Sequence, residues 1–320
     1  MASSPSSDQT ASRALIHTVA KLHYESELSQ VDIAKRLGLS TATISRLLQR
    51  ARAEGIVRIE VRDLVSPDAL GRDLVERLGL KQAAVVEVPP GPSSGALAAP
   101  VGQMLLSCGL RAGSVVAIGW GRAIRAVVET GLPAIPGILT VPATGGMQQH
   151  APHFQINEFA RLAAETMGGA PHFLHAPYLP SAGAREAFLA DPTIAGSVSL
   201  WERTAAAVVG IGLPHSTHSP ATNSPDETAA TPGERALRDA VGDVLRHYVR
   251  RDGSVTDWEG EGRMIAMSAE QLRRTPLVIG VAVGEAKAAA ILGAARSGLI
   301  SALATDPRTA EAVLEEAAKG

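Results

Sequence analysis

The sequence predicts an α/β protein in two parts, a small helical head over residues 13–62 and a parallel-sheet body over residues 63–320. Three observations carry this. At 320 residues and 33.1 kDa the chain exceeds one average domain. Positive charge gathers at one end: residues 13–62 hold nine Lys/Arg against five Asp/Glu, a net of +4, whereas residues 63–320 hold 21 against 26, a net of −5. From about residue 83 onward, apolar β-type runs alternate with amphipathic segments, the pattern of a parallel sheet covered on both faces.

Composition excludes several classes. Hydrophobic residues at 45% suffice for a large core, and aromatics at 3% make that core aliphatic. No run approaches the roughly 20 apolar residues of a membrane span. MASSPSSDQT lacks the basic start and apolar stretch of a secretion signal, so a cytoplasmic location is expected and residues 1–12 read as a disordered tail. A single cysteine, Cys108, excludes an intramolecular disulfide and reads as a small core residue.

In the head, Leu15, Val19 and Leu22 recur at helical spacing and predict a first helix ending near Glu25. Ser29 starts a second helix, with Asp32 three residues on as the partner of a capping box, and Val31, Ile33, Ala34 and Leu37 as its buried face. Gly38 breaks this helix where a tight turn needs positive φ. Ser40 caps a third helix, TATISRLLQRARAEG, with Ile44, Leu47, Leu48 and Ala51 inward. IVRIEVRD alternates as a strand or wing would.

Small Ala34, turn Gly38 and the aliphatics Ile44 and Leu47 are what a helix-turn-helix needs to hold its second helix proud. The opposite face carries Ala42, Ser45, Arg46 and Gln49, flanked by Ser40, Thr41, Thr43 and Arg50, with Ser29 and Gln30 at the preceding helix start. Hydroxyls near a helix start, followed by Arg and Gln, suit phosphate anchoring and base-edge hydrogen bonding in a major groove of double-stranded DNA. An ordinary three-helix bundle with a basic face accounts less well for turn, cap and one-sided basic stripe together.

In the body, strands are predicted at 83–88, 114–119, 137–142, 205–212, 275–284 and 299–305, and residues 67–79 as a helix that could join head to body. Residues 213–233, rich in Pro, Ser, Thr and Asn, read as a mobile spacer. Ligands of parallel sheets bind where strands end and helices begin. Three such places stand out: Gly119-Trp120-Gly121-Arg122, Thr144-Gly145-Gly146 and Gly210-Ile211-Gly212, whose backbone N–H groups could cradle a phosphate or hydroxyl-rich ligand. Lys287, at a helix start beyond Gly284, would reach an anion at the same rim. Thr305 and Asp306 end the last strand, where capping the final helix competes with ligand contact.

From about residue 13 the chain resembles the SorC-type (SorC/DeoR) sugar-binding bacterial transcriptional regulators. The resemblance rests on LSQVDIAKRLGLSTATISRLLQRARAEGIVRIEVRD, VVAIGWGR, NEFARLAAETMGG, VVGIG, VGDV at 241–244, RMIAMSAEQLRRTP and VGEAKAAAILGAARSGLISALATDPRTAEAVL. It implies a body similar to the sugar-phosphate isomerase, deaminase and CoA-transferase fold, a sugar, polyol or sugar-phosphate effector, and a homo-oligomer, dimer or tetramer. It also implies an effector site of residues 119–122, 144–146 and 210–212 with Asp243, Lys287, Thr305 and Asp306. Ala123 stands where the family commonly has a hydroxyl residue, which leaves a phosphate contact open.

The rival from another class is an active sugar-phosphate enzyme fused to a DNA-binding head. Deaminases of this fold carry Asp-Gly-His soon after their Gly-Ile-Gly, whereas here Leu-Pro-His-Ser-Thr-His follows Gly212. A sensor without catalytic residues is therefore expected. The pairs His150/His153 and His172/His175 sit among Pro152, Pro171 and Pro177 with no third ligand at usual spacing, so neither a metal nor a cofactor is expected.

Overall fold

The computed structural model describes residues 7–57, 66–89, 94–147, 155–214 and 237–319. The chain divides into two units, 1–64 and 65–320, each with its own core. Residues 58–63 of the expected strand or wing, His150, His153 and residues 215–233 of the expected spacer lie outside the described residues.

The first unit holds α1 (Ser7–Tyr24), α2 (Gln30–Leu37) and α3 (Thr41–Ala53). Helix α1 begins at Ser7, so residues 7–12 extend it where a tail was expected; the residue types there oppose helix formation only weakly. Its inward stripe is Ile16, Val19 and Ala20, with Leu15 exposed. The i, i+4, i+7 spacing fitted Leu15, but packing against α2 and α3 turned the helix by one position. Val31 is likewise exposed, because α2 buries Ile33 and Ala34. Gly38 takes the left-handed conformation (φ 66°) as its turn requires.

The second unit is a mainly parallel sheet. Strands β1 (Gln82–Val85), β2 (Val115–Ile118), β3 (Leu139–Pro142), β4 (Ala170–Pro171) and β5 (Thr204–Gly212) precede β6 (Gly242–Val244), β7 (His247–Val249), β8 (Val255–Thr256), β9 (Leu277–Val281) and β10 (Ala302–Thr305). The spatial order β1-β10-β9-β5-β2-β3-β4 is parallel throughout. Beyond it, the end of β5 pairs antiparallel with β6, which pairs with β7, and β7 with β8. The antiparallel ribbon departs from the wholly parallel sheet the sequence predicted. VGDV is too short to advertise a strand, and its partner is a strand end.

Helices α4 (Pro67–Leu78), α5 (Ala98–Ser107), α6 (Arg122–Thr130), α7 (Ile156–Met167), α8 (Arg185–Ala190), α9 (Pro192–Ser199), α10 (Ala269–Arg274), α11 (Ala288–Arg296) and α12 (Pro307–Ala318) cover the sheet. Alternating strand residues feed two cores. Val115, Ala117, Ala207 and Val209 face α4, α11 and α12; Val116, Ile118, Ala206 and Val208 face α5, α6 and α7. Helix α4 belongs to the body, where Leu70, Leu74 and Leu78 join the first of these cores. Cys108 is half-buried against the second. No described helix is long and apolar enough to cross a membrane.

Strand β2 leads through α6 to β3 on one side, whereas β5 leads onward to β9 on the other. The strand order reverses between β2 and β5, and a crevice outside the carboxyl ends at such a reversal is where ligands bind in open α/β sheets.

Candidate functional site

On the first unit, Ser40 Oγ accepts the Thr43 N–H at 3.1 Å and fixes the start of α3. With Ile44, Leu47, Leu48 and Ala51 buried, the helix exposes Thr41, Ala42, Arg46, Gln49 and Arg50, and half-exposes Thr43 and Ser45. Arg50 meets Glu54 at 2.8 Å in an exposed i,i+4 pair, weak enough to give way to a phosphate. Ser29 Oγ accepts the Asp32 N–H at 3.2 Å and donates to Asp32 Oδ2 at 2.6 Å. The return arm of the expected capping box thus goes to the hydroxyl rather than to the Ser29 backbone. Both serines serve as caps, and Gln30 is half-buried beside the first of them.

On the second unit, the loop after β2 crosses β5. Gly119 N–H donates to Val208 O at 2.8 Å, Trp120 is buried, and Gly121 (φ 125°) opens α6 at Arg122. Residues 210–212 end β5, as the predicted strand 205–212 required, but no helix start follows at once, because this end is itself paired: Gly210 with Val281, Ile211 with Val244 and Gly212 with Asp243. Their glycines are explained by close approach. A Cβ on Gly210 would lie 2.8 Å from the carbonyl oxygen of Trp120, and one on Gly212 would collide with the Asp243 carboxylate.

Three expected residues converge here. Lys287 closes a short 3₁₀ turn (Glu285–Lys287) ahead of α11 and donates from Nζ to Ile211 O at 2.8 Å. Burial pushes its ammonium below the usual lysine range, Arg122 pushes the same way, and Asp243 opposes them. Asp243 is buried and accepts the backbone N–H of Arg246 on Oδ2 at 3.0 Å. Arg122, Asp243 and Lys287 thus form one electrostatic group over the end of β5.

The remaining expected residues have other duties. The amides of Gly145 and Gly146 donate to Ile265 O and Ala176 O, both at 2.8 Å, so these two N–H groups stitch segments together and are not an open anion cradle. Thr144 is fully buried beside them. Thr305 Oγ1 donates to Ala282 O at 2.8 Å, and Asp306 caps α12 by accepting the Thr309 N–H at 3.1 Å. Of that pair, Asp306 is the cap, and Thr305 ties its strand to the end of β9.

Sequence reasoning missed Arg246, Tyr178 and Tyr248. Arg246 sits in the β6–β7 turn with its guanidinium carbon 5.7 Å from the Trp120 ring centroid and 6.0 Å from that of Tyr178. It also donates a side-chain hydrogen bond to Tyr248, and burial raises both tyrosines above their usual range. The available signal was scarcity: the chain has three Trp and three Tyr, and three of those six meet at this arginine. A separate cavity of ≈ 270 Å³, lined by Arg185, Trp201, Glu202 and Arg274 among others, shares no residue with this rim. Its Glu202–Arg274 pair at 3.1 Å is already matched in charge. Among the described residues no cluster of three or more His, Cys, Asp or Glu could hold a metal, and the His175 ring lies 6.1 Å from that of Phe173.

Comparison with known proteins agrees with this division. A family model described as "Putative sugar-binding domain" matches residues 63–315, and one described as winged helix-turn-helix DNA-binding matches residues 22–58. The chain is 30% identical to the sorbitol operon regulator of Klebsiella pneumoniae, an alignment covering 94% of this chain and 98% of that one. It is 27% identical to the deoxyribonucleoside regulator of Bacillus subtilis (strain 168), over 93% and 96% of the two chains. The crystal structure of the full-length Klebsiella pneumoniae regulator superposes with a TM-score of 0.67 at 29% identity, covering 94% of this chain and 98% of that chain.

The contact at Gly210 generates a prediction. Gly210→Ala places a methyl group against a backbone carbonyl that cannot rotate away, so the β2–α6 loop must lift or β5 must bend. Overpacking of this kind costs about 1–3 kcal/mol. Chemical denaturation should show a loss in that range, and a variant as stable as the parent would mean that the loop is not held by this contact.

Proposed function

The chain belongs to the SorC-type family of sugar-binding, helix-turn-helix transcriptional regulators, and from that premise we propose that α3 reads operator DNA under control of a sugar, polyol or sugar phosphate bound at the β2–β5 crevice. One pairing of features carries the reading. A capped helix exposes Arg46, Gln49 and Arg50, while the other unit gathers Arg122, Asp243 and Lys287 at its strand-order reversal. The first suits phosphate and base-edge contacts. The second offers an acceptor for hydroxyls and donors for an anion. In this reading residues 119–122 and 210–212 line the crevice and residues 144–146 brace it, while Thr305 ties down the neighbouring strand and Asp306 caps α12. The enzyme reading is disfavoured, because relatives aligned along nearly the whole chain are named as regulators.

DNA binding by α3 is tested by replacing Arg46 and Arg50 with alanine. Affinity for duplex DNA should fall, and the slope of log affinity against log salt should flatten by roughly 0.9 per lost phosphate contact. Affinity and slope equal to the parent's would remove α3 from the interface.

One helix-turn-helix reads half a site, so the body is expected to assemble a dimer or tetramer in the cytoplasm that presents two heads to an imperfect palindrome. Light scattering at micromolar concentration should report at least twice the 33.1 kDa chain mass. A monomer with and without DNA would defeat this.

Effector control follows from linkage: a ligand shifts DNA affinity only through its own differential affinity for two body conformations. Lys287 is the residue assigned to the effector's anionic or hydroxyl group, through a charge-assisted hydrogen bond that stabilises by roughly 1.5–3 kcal/mol. In Lys287→Ala the effector concentration that half-releases or half-recruits DNA should rise by about tenfold or more. An unchanged half-point would identify Lys287 as a structural lysine serving only Ile211.

A further inference from the structure

The β6–β7 hairpin closes with two residues, Leu245 (φ 51°) and Arg246 (φ 69°), both left-handed. Two-residue hairpins favour this geometry, and Asn-Gly or Asp-Gly adopts it at least cost. Non-glycine residues in it are uncommon and strained, and such strain persists where surrounding structure over-determines it, often at ligand sites. Leu245 explains itself as a buried core residue. For Arg246 the turn alone gives no reason, since a smaller residue would make the same hairpin. The reason must lie in its side chain.

That side chain is buried and enclosed. The rings of Trp120 and Tyr178, themselves edge to face at 5.3 Å, lie against the guanidinium, Tyr248 accepts a hydrogen bond from it, and Nη2 is 3.9 Å from Met147 Sδ. Asp243, in the same hairpin, holds the Arg246 backbone N–H and so fixes where the side chain departs. Aromatic rings engage a guanidinium through its π-face, whereas carboxylates and phosphates engage it in the plane through its N–H fork. Both modes fit one side chain at once. The charges acting on Tyr178 and Lys287 include the cations Arg122, Arg246 and Arg263 as well as Asp243. Aromatic rings beside a carboxylate suit the faces and hydroxyls of a polyhydroxylated molecule.

We infer that Arg246 sets effector specificity by taking an oxyanion, a carboxylate or a phosphate, carried by a polyhydroxylated effector, with Trp120 and Tyr178 orienting its guanidinium. The inference rests on the reading that this crevice takes the effector.

The test titrates the full chain calorimetrically with D-sorbitol, D-gluconate, D-sorbitol 6-phosphate and inorganic phosphate. The parent should bind gluconate or the sugar phosphate about tenfold or more tightly than sorbitol, and whichever is preferred identifies the oxyanion. Inorganic phosphate separates the oxyanion's contribution from the polyol's. Arg246→Gly keeps the turn in a conformation natural to glycine and should lose that preference, its affinities for the anionic probes falling to about that for sorbitol. Arg246→Lys keeps the charge without the fork and should fall between them, which guards against a glycine variant that fails to fold. Arg246→Gly and Arg246→Lys binding the anionic probes like the parent would overturn the inference. So would a parent that prefers sorbitol or binds no anionic probe. Asp243→Asn separates the two levels of failure. If it weakens binding while the Arg246 variants do not, only the role of Arg246 falls. If no variant changes the parent's binding, the crevice reading falls as well.

Discussion

The body's architecture depends on how closely two other segments approach the end of β5. At Gly210 the β2–α6 loop lies so near that a Cβ would meet the Trp120 carbonyl, and at Gly212 the Asp243 side chain occupies the space a Cβ would need. Lys287 takes the carbonyl of the residue between them. Three segments far apart in sequence are therefore fixed on three successive residues of one strand. Strand β5 pairs with β2 over Thr204–Val208, with β9 over Ala206–Gly210 and with β6 at Ile211 and Gly212, so each of its anchoring residues is itself held in the sheet. Preorganisation of this kind lowers the ordering cost of binding a small molecule.

Around that anchor, most buried polar groups serve the fold. Thr140 Oγ1 donates to Ala160 O, Thr305 to Ala282 O, and Trp201 Nε1 to Pro142 O. His247 lies between the Glu261 carboxylate and the Met267 carbonyl, which ties the hairpin to the segment that stitches Thr144 and Gly145. Burying polar groups without partners is costly, so their engagement is the ordinary outcome. Against that background, a strained turn whose arginine is set among aromatic rings is the exception that calls for a function.

For a regulator of this family, the same anchoring bears on signalling. A ligand that binds two body conformations equally shifts nothing, however tightly it binds. The proposed crevice would draw on elements from both sides of the strand-order reversal, with α6 leading one way and α11 belonging to the other. A ligand spanning it would distinguish conformations in which those elements move apart.

Features that depend on local periodicity, or on residues with one physical use, are legible in the amino-acid order alone. The three head helices, the serine caps, the left-handed Gly38, six of the parallel strands and Lys287 at a helix start all follow from patterns within a dozen residues. Where several patterns were locally equivalent, long-range packing selected among them. It turned α1 toward Ile16 rather than Leu15, assigned the amides of Gly145 and Gly146 to neighbouring carbonyls, and paired the end of β5 antiparallel with β6. It also brought Arg246 to Trp120 and Tyr178, residues more than 60 positions away in the chain. The physical reason is the same in each case. Helix and turn formation are governed by contacts a few residues apart, whereas close approach and the pairing of buried polar groups are governed by strand order, which no local pattern encodes.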